Sequence, residues 1–135
     1  MKKNYELGSL VLRVVLGVSF LIHGLIKFND GIANTAGWFD SIGIPGFMAY
    51  VVALIEVVGG IAMILGIGTR IVAALFAVVM LGAIFTVKLS VGFAGNGQMA
   101  GYELDLAFLA MSVYLLLNGS DKLSLQAVLK PNQQS

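Results

Sequence analysis

Residues 13–28 read RVVLGVSFLIHGLIKF, an apolar stretch that carries an arginine, a histidine and a lysine. Its length and hydrophobicity are typical of a helix that crosses a lipid bilayer. An ionised side chain at the bilayer centre costs about 2.5 to 3.5 kcal/mol, so such residues pair with other groups or line a polar cavity. We therefore expect Arg13, His23 and Lys27 to face protein, and the rest of the chain to supply their partners.

The composition indicates a membrane protein. Of the 135 residues, 59% are hydrophobic and 11% are charged, against about 25% charged residues in an ordinary soluble domain. The chain has no cysteine and one histidine, which excludes disulfides and thiolate-bound metals and argues against any metal site. A net charge of +1 without a basic face argues against nucleic acid as a partner. We expect one integral membrane domain over residues 1–135, in contact with the lipid bilayer.

The predicted fold is all-α. Four segments are apolar enough to span a hydrocarbon core that needs about 20 helical residues, and they cover residues 7–26, 47–65, 71–91 and 102–117. Lipid leaves no water for an open sheet edge, so these segments are expected to be helices. The short link at residues 66–70 forces an antiparallel hairpin. We predict a four-transmembrane-helix antiparallel bundle, followed by a polar tail over residues 118–135.

The segment between the first two spans predicts a short helix at the membrane surface. Glycine and proline mark turns at both of its ends. Between them, apolar and aromatic residues alternate with polar ones over residues 34–42, which is typical of an interfacial helix. Trp38 and Phe39 lie in its middle, and we interpret them as candidate partner-binding residues.

The basic residues predict the orientation of the chain in the cell membrane. With the N-terminus inside, one set falls on the cytoplasmic side, where basic residues are enriched; it consists of Lys2, Lys3, Arg70, Lys122 and Lys130. Lys27 and Lys88 fall near the opposite side. Five residues against two favour a multi-pass protein with both termini in the cytoplasm.

Glycines and charges share faces of the predicted helices. Gly17 and Gly24 on the first span would let a neighbouring helix approach closely, as would Gly59 and Gly60 on the second span. With the span ends at common depths, Arg13 and Glu56 are separated vertically by roughly 6 Å, which an arginine side chain can bridge.

Five further ionisable residues collect toward the outer half of the predicted bundle, and we interpret them as a polar pocket that opens toward the outer leaflet; they are His23, Lys27, Lys88, Glu103 and Asp105. The structural alternatives stay open at this stage. The Arg13–Glu56 pair could only fix helix register, and the lysines could extend to the membrane surface. The carboxylates of the last span could complement its helix dipole.

This residue set predicts proton chemistry on an oxygen-bearing ligand. Histidine and carboxylates exchange protons, so the catalytic candidates are His23, Glu56, Glu103 and Asp105. Lysine and arginine stabilise phenolate oxygens, so the ligand-binding candidates are Arg13, Lys27 and Lys88. No motif for a flavin, a nicotinamide or a di-iron centre is present. Redox work would therefore need a bound quinone or a partner subunit as the source of electrons.

The same residues carry a family resemblance. Arg13 is followed by His-Gly-x-x-Lys-Phe at 23–28, Glu-x-x-Gly-Gly at 56–60, Gly-x-Gly-Thr-Arg at 66–70 and Glu-Leu-Asp at 103–105. Over nearly its whole length the chain resembles the DoxX family of small four-helix membrane proteins, in particular the MhqP and CatD branch, whose members are provisionally classed as oxidoreductases. Genes of this branch accompany ring-cleavage dioxygenases and respond to catechols and methylhydroquinone. The family also includes a thiosulfate:quinone oxidoreductase subunit.

Three hypotheses for the function follow. In the first, which the resemblance favours, the protein is a component of quinone redox chemistry or of quinone and catechol detoxification under oxidative stress, with a quinone or hydroquinone as ligand. In the second, the same polar pocket carries or exports small aromatic compounds without chemistry. In the third, the protein is a non-catalytic assembly factor whose surface helix recruits a soluble redox partner. A homo-oligomer is a further possible partner, and four short helices could carry a compound across the membrane only in that form.

Overall fold

A computed structural model describes residues 2–129, and their side chains from Asn4 onward. All regular structure in this part of the chain is helical. The elements are α1 (Lys2–Asn29), α2 (Ile32–Ser41), α3 (Phe47–Leu65), α4 (Thr69–Ala83) with a π-helical extension (Ile84–Lys88), α5 (Glu103–Asn118) and α6 (Leu125–Leu129). Of the basic residues used to predict orientation, Lys130 and the side chains of Lys2 and Lys3 lie outside the described part.

Three of the helices are long and apolar enough to cross a membrane, and they cover Asn4–Asn29, Phe47–Leu65 and Thr69–Lys88. They correspond to the first three predicted spans. Helix α5 occupies the fourth predicted span but has 16 residues, which gives it a length of about 24 Å against a hydrocarbon thickness of about 30 Å. The fourth crossing therefore stays a prediction. The short helix between the first two spans is present as α2, beginning two residues earlier than predicted.

Helices α1 and α3 pack closely and antiparallel along two glycine contacts. A Cβ atom added at Gly17 would lie 2.9 Å from the carbonyl oxygen of Gly60, and one added at Gly60 would lie 2.8 Å from the carbonyl oxygen of Gly17. Farther along α1, a Cβ at Gly24 would lie 2.6 Å from Val57 Cγ2. No real side chain fits at these distances, so the close approach of the two backbones requires glycine, as the sequence predicted.

The same contacts fix the register of α1 against α3, and the register separates Arg13 from Glu56. Gly24 lies beside Glu56, because a Cβ added there would be 3.0 Å from Glu56 Cβ, whereas Arg13 Nη1 would be 3.0 Å from a Cβ at Gly66. Positions 13 and 24 are eleven residues apart, or about 16 Å along a helix. The Arg13–Glu56 contact that the sequence allowed is therefore not formed, because Arg13 lies level with Gly66 at the end of α3, about 16 Å from the level of Glu56.

Aromatic and aliphatic side chains from α1, α3, α4 and α5 form the core. The rings of Phe20 and Phe76 stack with their centroids 3.8 Å apart, and Phe108 of α5 packs against Phe20 at 5.5 Å. Leu16, Met63 and other fully buried side chains complete this cluster. The outward faces of the same helices are also apolar, with many exposed valine, leucine, isoleucine and phenylalanine side chains. A helix that is apolar on all sides is expected where the outer surface meets lipid.

After α5 the chain folds back on itself. We call residues 119–129 the C-terminal hook. The backbone N–H of Gln126 donates to Gly66 O at 3.1 Å, and Gln126 Oε1 accepts a hydrogen bond from the N–H of Gly68 at 2.7 Å. The segment after residue 118, which the sequence predicted as a polar tail, is thus attached to the turn between α3 and α4 as far as residue 129.

Candidate functional site

The most buried charge pair of the structure joins α1 to α3. Lys27 Nζ donates to Glu56 Oε1 at 2.8 Å. The Glu56 side chain is 5% exposed and that of Lys27 is 24% exposed. Gly24, one turn before Lys27, brings the backbone of α1 close enough for this short contact. The pair lies at the middle of α3, where no water is available to solvate a lone carboxylate.

A second ion pair joins the π-helical extension to α5. Lys88 Nζ lies 3.3 Å from Asp105 Oδ2 and 3.4 Å from the carbonyl oxygen of Gly101. The N–H of Leu89 bonds to Ile84 O at 2.8 Å, which is the wider i→i+5 turn of a π-helix and changes the direction in which the following side chains point. Glu103, two residues before Asp105, is exposed. The structure thus brings Lys88 and Asp105 together and leaves Glu103 on the surface.

His23 lies one helical turn before Lys27 and is exposed on α1. Its Nδ1 is 2.7 Å from the carbonyl oxygen of Ser19, and a carbonyl can only accept, so Nδ1 carries the proton. In the neutral ring Nε2 is then a free acceptor. The His23 ring also packs edge-on against Phe108, with centroids 6.2 Å apart, and Phe108 is one helical turn from Asp105. Among the described residues, none donates a hydrogen bond to Nε2.

Arg13 is absent from this cluster. Its guanidinium is buried, at 1% exposure, and donates to three carbonyl oxygens of the C-terminal hook: Ser120 at 3.0 Å, Lys122 at 3.1 Å and Leu123 at 3.0 Å. Within the described part of the chain no carboxylate forms an ion pair with it. The geometry gives Arg13 a structural partner that sequence reasoning missed, because backbone acceptors leave no signature in a sequence.

Trp38 and Phe39, the predicted partner-binding residues, lie together on α2. Their ring centroids are 5.7 Å apart; Trp38 is exposed and Phe39 is half-buried. Helix α2 is attached to the start of α3 because Asp40 Oδ1 accepts a hydrogen bond from the N–H of Gly46 at 2.8 Å. The attachment leaves the Trp38 ring available on the surface.

Two cavities lie at the opposite end of the helices, near the start of α1. An open apolar groove of about 620 Å³ runs between α1 and Tyr114. A smaller cavity of about 260 Å³ is bordered by α1 and the start of the hook, between Ser9 and Asn118. Neither is lined by His23, Lys27 or Glu56. His23 and Lys27, one helical turn apart on α1, instead form a small polar patch at the surface, and Glu56 is buried behind Lys27.

A model of the DoxX family matches residues 8–89. The chain belongs to the DoxX family. The matched region of this DoxX protein runs from α1 to the π-helical extension, so it contains His23, Lys27, Glu56 and Lys88. The carboxylates of α5 and the C-terminal hook lie beyond it. No solved structure matches the chain.

Three relatives place this DoxX protein among bacterial membrane proteins. A Bacillus subtilis (strain 168) protein with the provisional name oxidoreductase CatD is 48% identical over 93% of this chain and 89% of its own. The inner membrane protein YqjF of Escherichia coli (strain K12) is 39% identical over 52% and 53% of the two chains. An uncharacterised membrane protein of Mycobacterium tuberculosis is 33% identical over 84% of this chain and 76% of its own.

Proposed function

We propose that this DoxX protein is a quinone-linked oxidoreductase component that detoxifies quinones or catechols, and that the head group of the quinone or hydroquinone binds at His23. The observation that carries the proposal is an exposed histidine with a free ring nitrogen beside a buried Lys27–Glu56 pair. The similarity to a relative provisionally named as an oxidoreductase supports the same reaction class. Lateral exposure of the patch suits a lipid-soluble ligand.

The head group would contact one hydrogen-bond acceptor, His23, and one donor, Lys27. Nε2 of neutral His23 accepts a hydrogen bond from a hydroquinone hydroxyl and takes its proton as the oxygen becomes a phenolate. The Lys27 ammonium has three donors and uses one on Glu56, so another can stabilise the developing negative charge. Glu56 holds the Lys27 side chain in place in the apolar interior.

Oxidation of a hydroquinone to a quinone releases two protons and two electrons, and the reverse reaction consumes them. In the proposal, His23 takes the first proton, and the α5 carboxylates Asp105 and Glu103 serve as further proton acceptors, with Lys88 holding Asp105 in position. The two electrons released would pass to a redox centre of a partner subunit. In the detoxifying direction, from quinone to hydroquinone, that centre would supply two electrons and the same side chains would return the two protons. Trp38 on the exposed side of α2 is the proposed contact for such a partner.

In the proposed orientation both termini face the cytoplasm and the His23 patch lies toward the outer leaflet of the cell membrane. The basic residues near the start of α1 and in the hook support this orientation. A quinone would then reach His23 by lateral diffusion through the bilayer.

The proposal predicts that His23→Gln abolishes tolerance to quinones and catechols in a strain that depends on this protein. Glutamine keeps polar contacts but cannot take a proton, and a positioned general base typically contributes about 10²- to 10⁴-fold to a rate. Survival in graded concentrations of methylhydroquinone measures the effect. We expect the His23→Gln strain to resemble the deletion strain at equal levels of membrane-inserted protein.

Val58→Ala is the matched control, because Val58 is an exposed side chain on α3 close to Glu56 in sequence and has no proton chemistry. It should retain tolerance. Wild-type tolerance in the His23→Gln strain would contradict the role of His23. Uptake or export of unmodified aromatic compounds that survives the substitution would then favour the carrier hypothesis.

A further inference from the structure

The C-terminal hook presents an apolar face that the rest of the described chain leaves uncovered. Leu125, Val128 and Leu129 lie at positions i, i+3 and i+4 of α6 and therefore share one side of the helix. Val128 is 76% exposed and Leu129 is 69% exposed. Gln126 lies on another side and bonds to the α3–α4 turn. The short helix is thus amphipathic, with its polar side on the protein.

The backbone before α6 also directs an apolar side chain outward. Leu123 has a φ angle of +52°, a left-handed conformation that leucine rarely adopts, and its side chain is 78% exposed. Arg13 Nη2 holds the carbonyl oxygen of this residue at 3.0 Å. A buried guanidinium therefore fixes the conformation in which Leu123 points away from the protein, on the same segment as the apolar face of α6.

The attachment of the hook places these side chains at the membrane boundary. Gln126 bonds to Gly66 and Gly68, which form the turn between the membrane-spanning lengths Phe47–Leu65 and Thr69–Lys88. A side chain at the end of a spanning helix lies at the level of the lipid head groups and upper acyl chains. Exposed leucine and valine at this level are at the depth where amphipathic helices insert their apolar faces.

The charges at this end of the molecule complement an anionic surface. Arg70 and Lys122 are exposed next to the hook, together with the acidic Asp121. Lys2 and Lys3 belong to the first turn of α1, which begins at the same end. Of the acidic residues, Glu6 and Asp121 belong to this end and the other five do not. A basic excess beside an apolar insertion surface favours acidic phospholipids over zwitterionic ones.

We propose that the C-terminal hook is a lipid-binding element that inserts Leu123, Val128 and Leu129 into the head-group region of an anionic leaflet, with Arg70 and Lys122 on the lipid phosphates. Through Arg13 and Gln126 the hook connects this lipid contact to α1 and to the α3–α4 turn. The inference does not depend on the quinone site.

A single tryptophan placed on the hook tests the proposal. The chain has one tryptophan, so the full-length Trp38→Phe, Val128→Trp protein reports on α6 alone after reconstitution into vesicles. Bromine on the upper acyl chain quenches nearby indoles. We expect brominated lipid to reduce the fluorescence roughly twofold or more, because an interfacial helix inserts its apolar face to this depth. In equimolar phosphatidylglycerol and phosphatidylcholine, bromine on phosphatidylglycerol should quench more than bromine on phosphatidylcholine.

Two further variants make the outcome decisive. Leu129→Trp repeats the measurement in case Val128→Trp fails to fold. Arg70→Gln combined with Lys122→Gln should remove the preference for phosphatidylglycerol but leave the quenching itself unchanged. The proposal would be overturned if brominated lipid quenched the fluorescence of neither tryptophan variant. It would also be overturned if quenching appeared only after two copies of the chain had been cross-linked at the hook. If both brominated lipids quenched equally in the protein that keeps Arg70 and Lys122, the proposed preference for an anionic leaflet would be wrong.

Discussion

Replacing Lys27 with methionine is expected to lower the free energy of unfolding by about 3 to 5 kcal/mol, because it leaves the buried Glu56 carboxylate without its partner. Glu56 is at the middle of α3 and its side chain is 5% exposed, so it cannot extend to water. Glu56→Leu is expected to cost less. Lys27 is two residues from the end of α1, and its long side chain can reach the membrane surface.

The double variant Lys27→Met, Glu56→Leu provides the matched control. Replacing both members of a buried ion pair by apolar residues of similar size is often neutral or stabilising, so the double variant should unfold close to the wild type. Thermal unfolding of the four proteins in one mild detergent completes the cycle. If the Lys27→Met protein unfolds at the wild-type temperature, the Lys27–Glu56 ion pair does not stabilise the α1–α3 contact.

The second large effect is expected at Arg13. Methionine at this position has no donor for the carbonyl oxygens of Ser120, Lys122 and Leu123, and each unsatisfied buried group costs about 1 to 3 kcal/mol. The hook can avoid part of this cost by moving into water. We therefore expect a loss of about 3 kcal/mol in unfolding free energy and faster amide exchange over residues 120–129, measured by hydrogen–deuterium exchange with mass spectrometry.

Arg13→Lys is the informative comparison for that experiment. Lysine keeps the charge but lacks the planar guanidinium that donates from two nitrogens to separated carbonyls, so it should restore only part of the protection. Exchange in α2, which is remote from Arg13, should stay unchanged in both variants. Wild-type protection of the hook in Arg13→Met would show that Gln126 alone holds the segment.

Much of the fold follows from patterns that a single sequence carries. The hydropathy of α1, α3 and α4 predicts helices, since lipid requires every backbone group to be paired within its own segment. Gly17 and Gly60 marked places where a neighbouring helix can approach, because small residues let two backbones come close, but the structure was needed to show that the two glycines face each other. These features depend on local or periodic sequence patterns. The structure adds the distances between the atoms that are in contact.

The register between helices could not be read in the same way. Hydropathy gives the length of a span but not its vertical offset against a neighbour, and α1 extends well past the end of α3. That offset pairs Glu56 with Lys27 and sends Arg13 to the hook. Both features depend on backbone positions that no side-chain pattern encodes.

The most direct test of the quinone site is mass spectrometry of the organic extract from protein purified in mild detergent, comparing the wild type with the Lys27→Met, Glu56→Leu variant. That variant is expected to fold but has no polar group at the proposed site other than His23. We predict a quinone at stoichiometric amount in the wild-type extract and none in the variant. Phospholipid alone in both extracts, or the same quinone content in both, would contradict a quinone site formed by His23 and the Lys27–Glu56 pair.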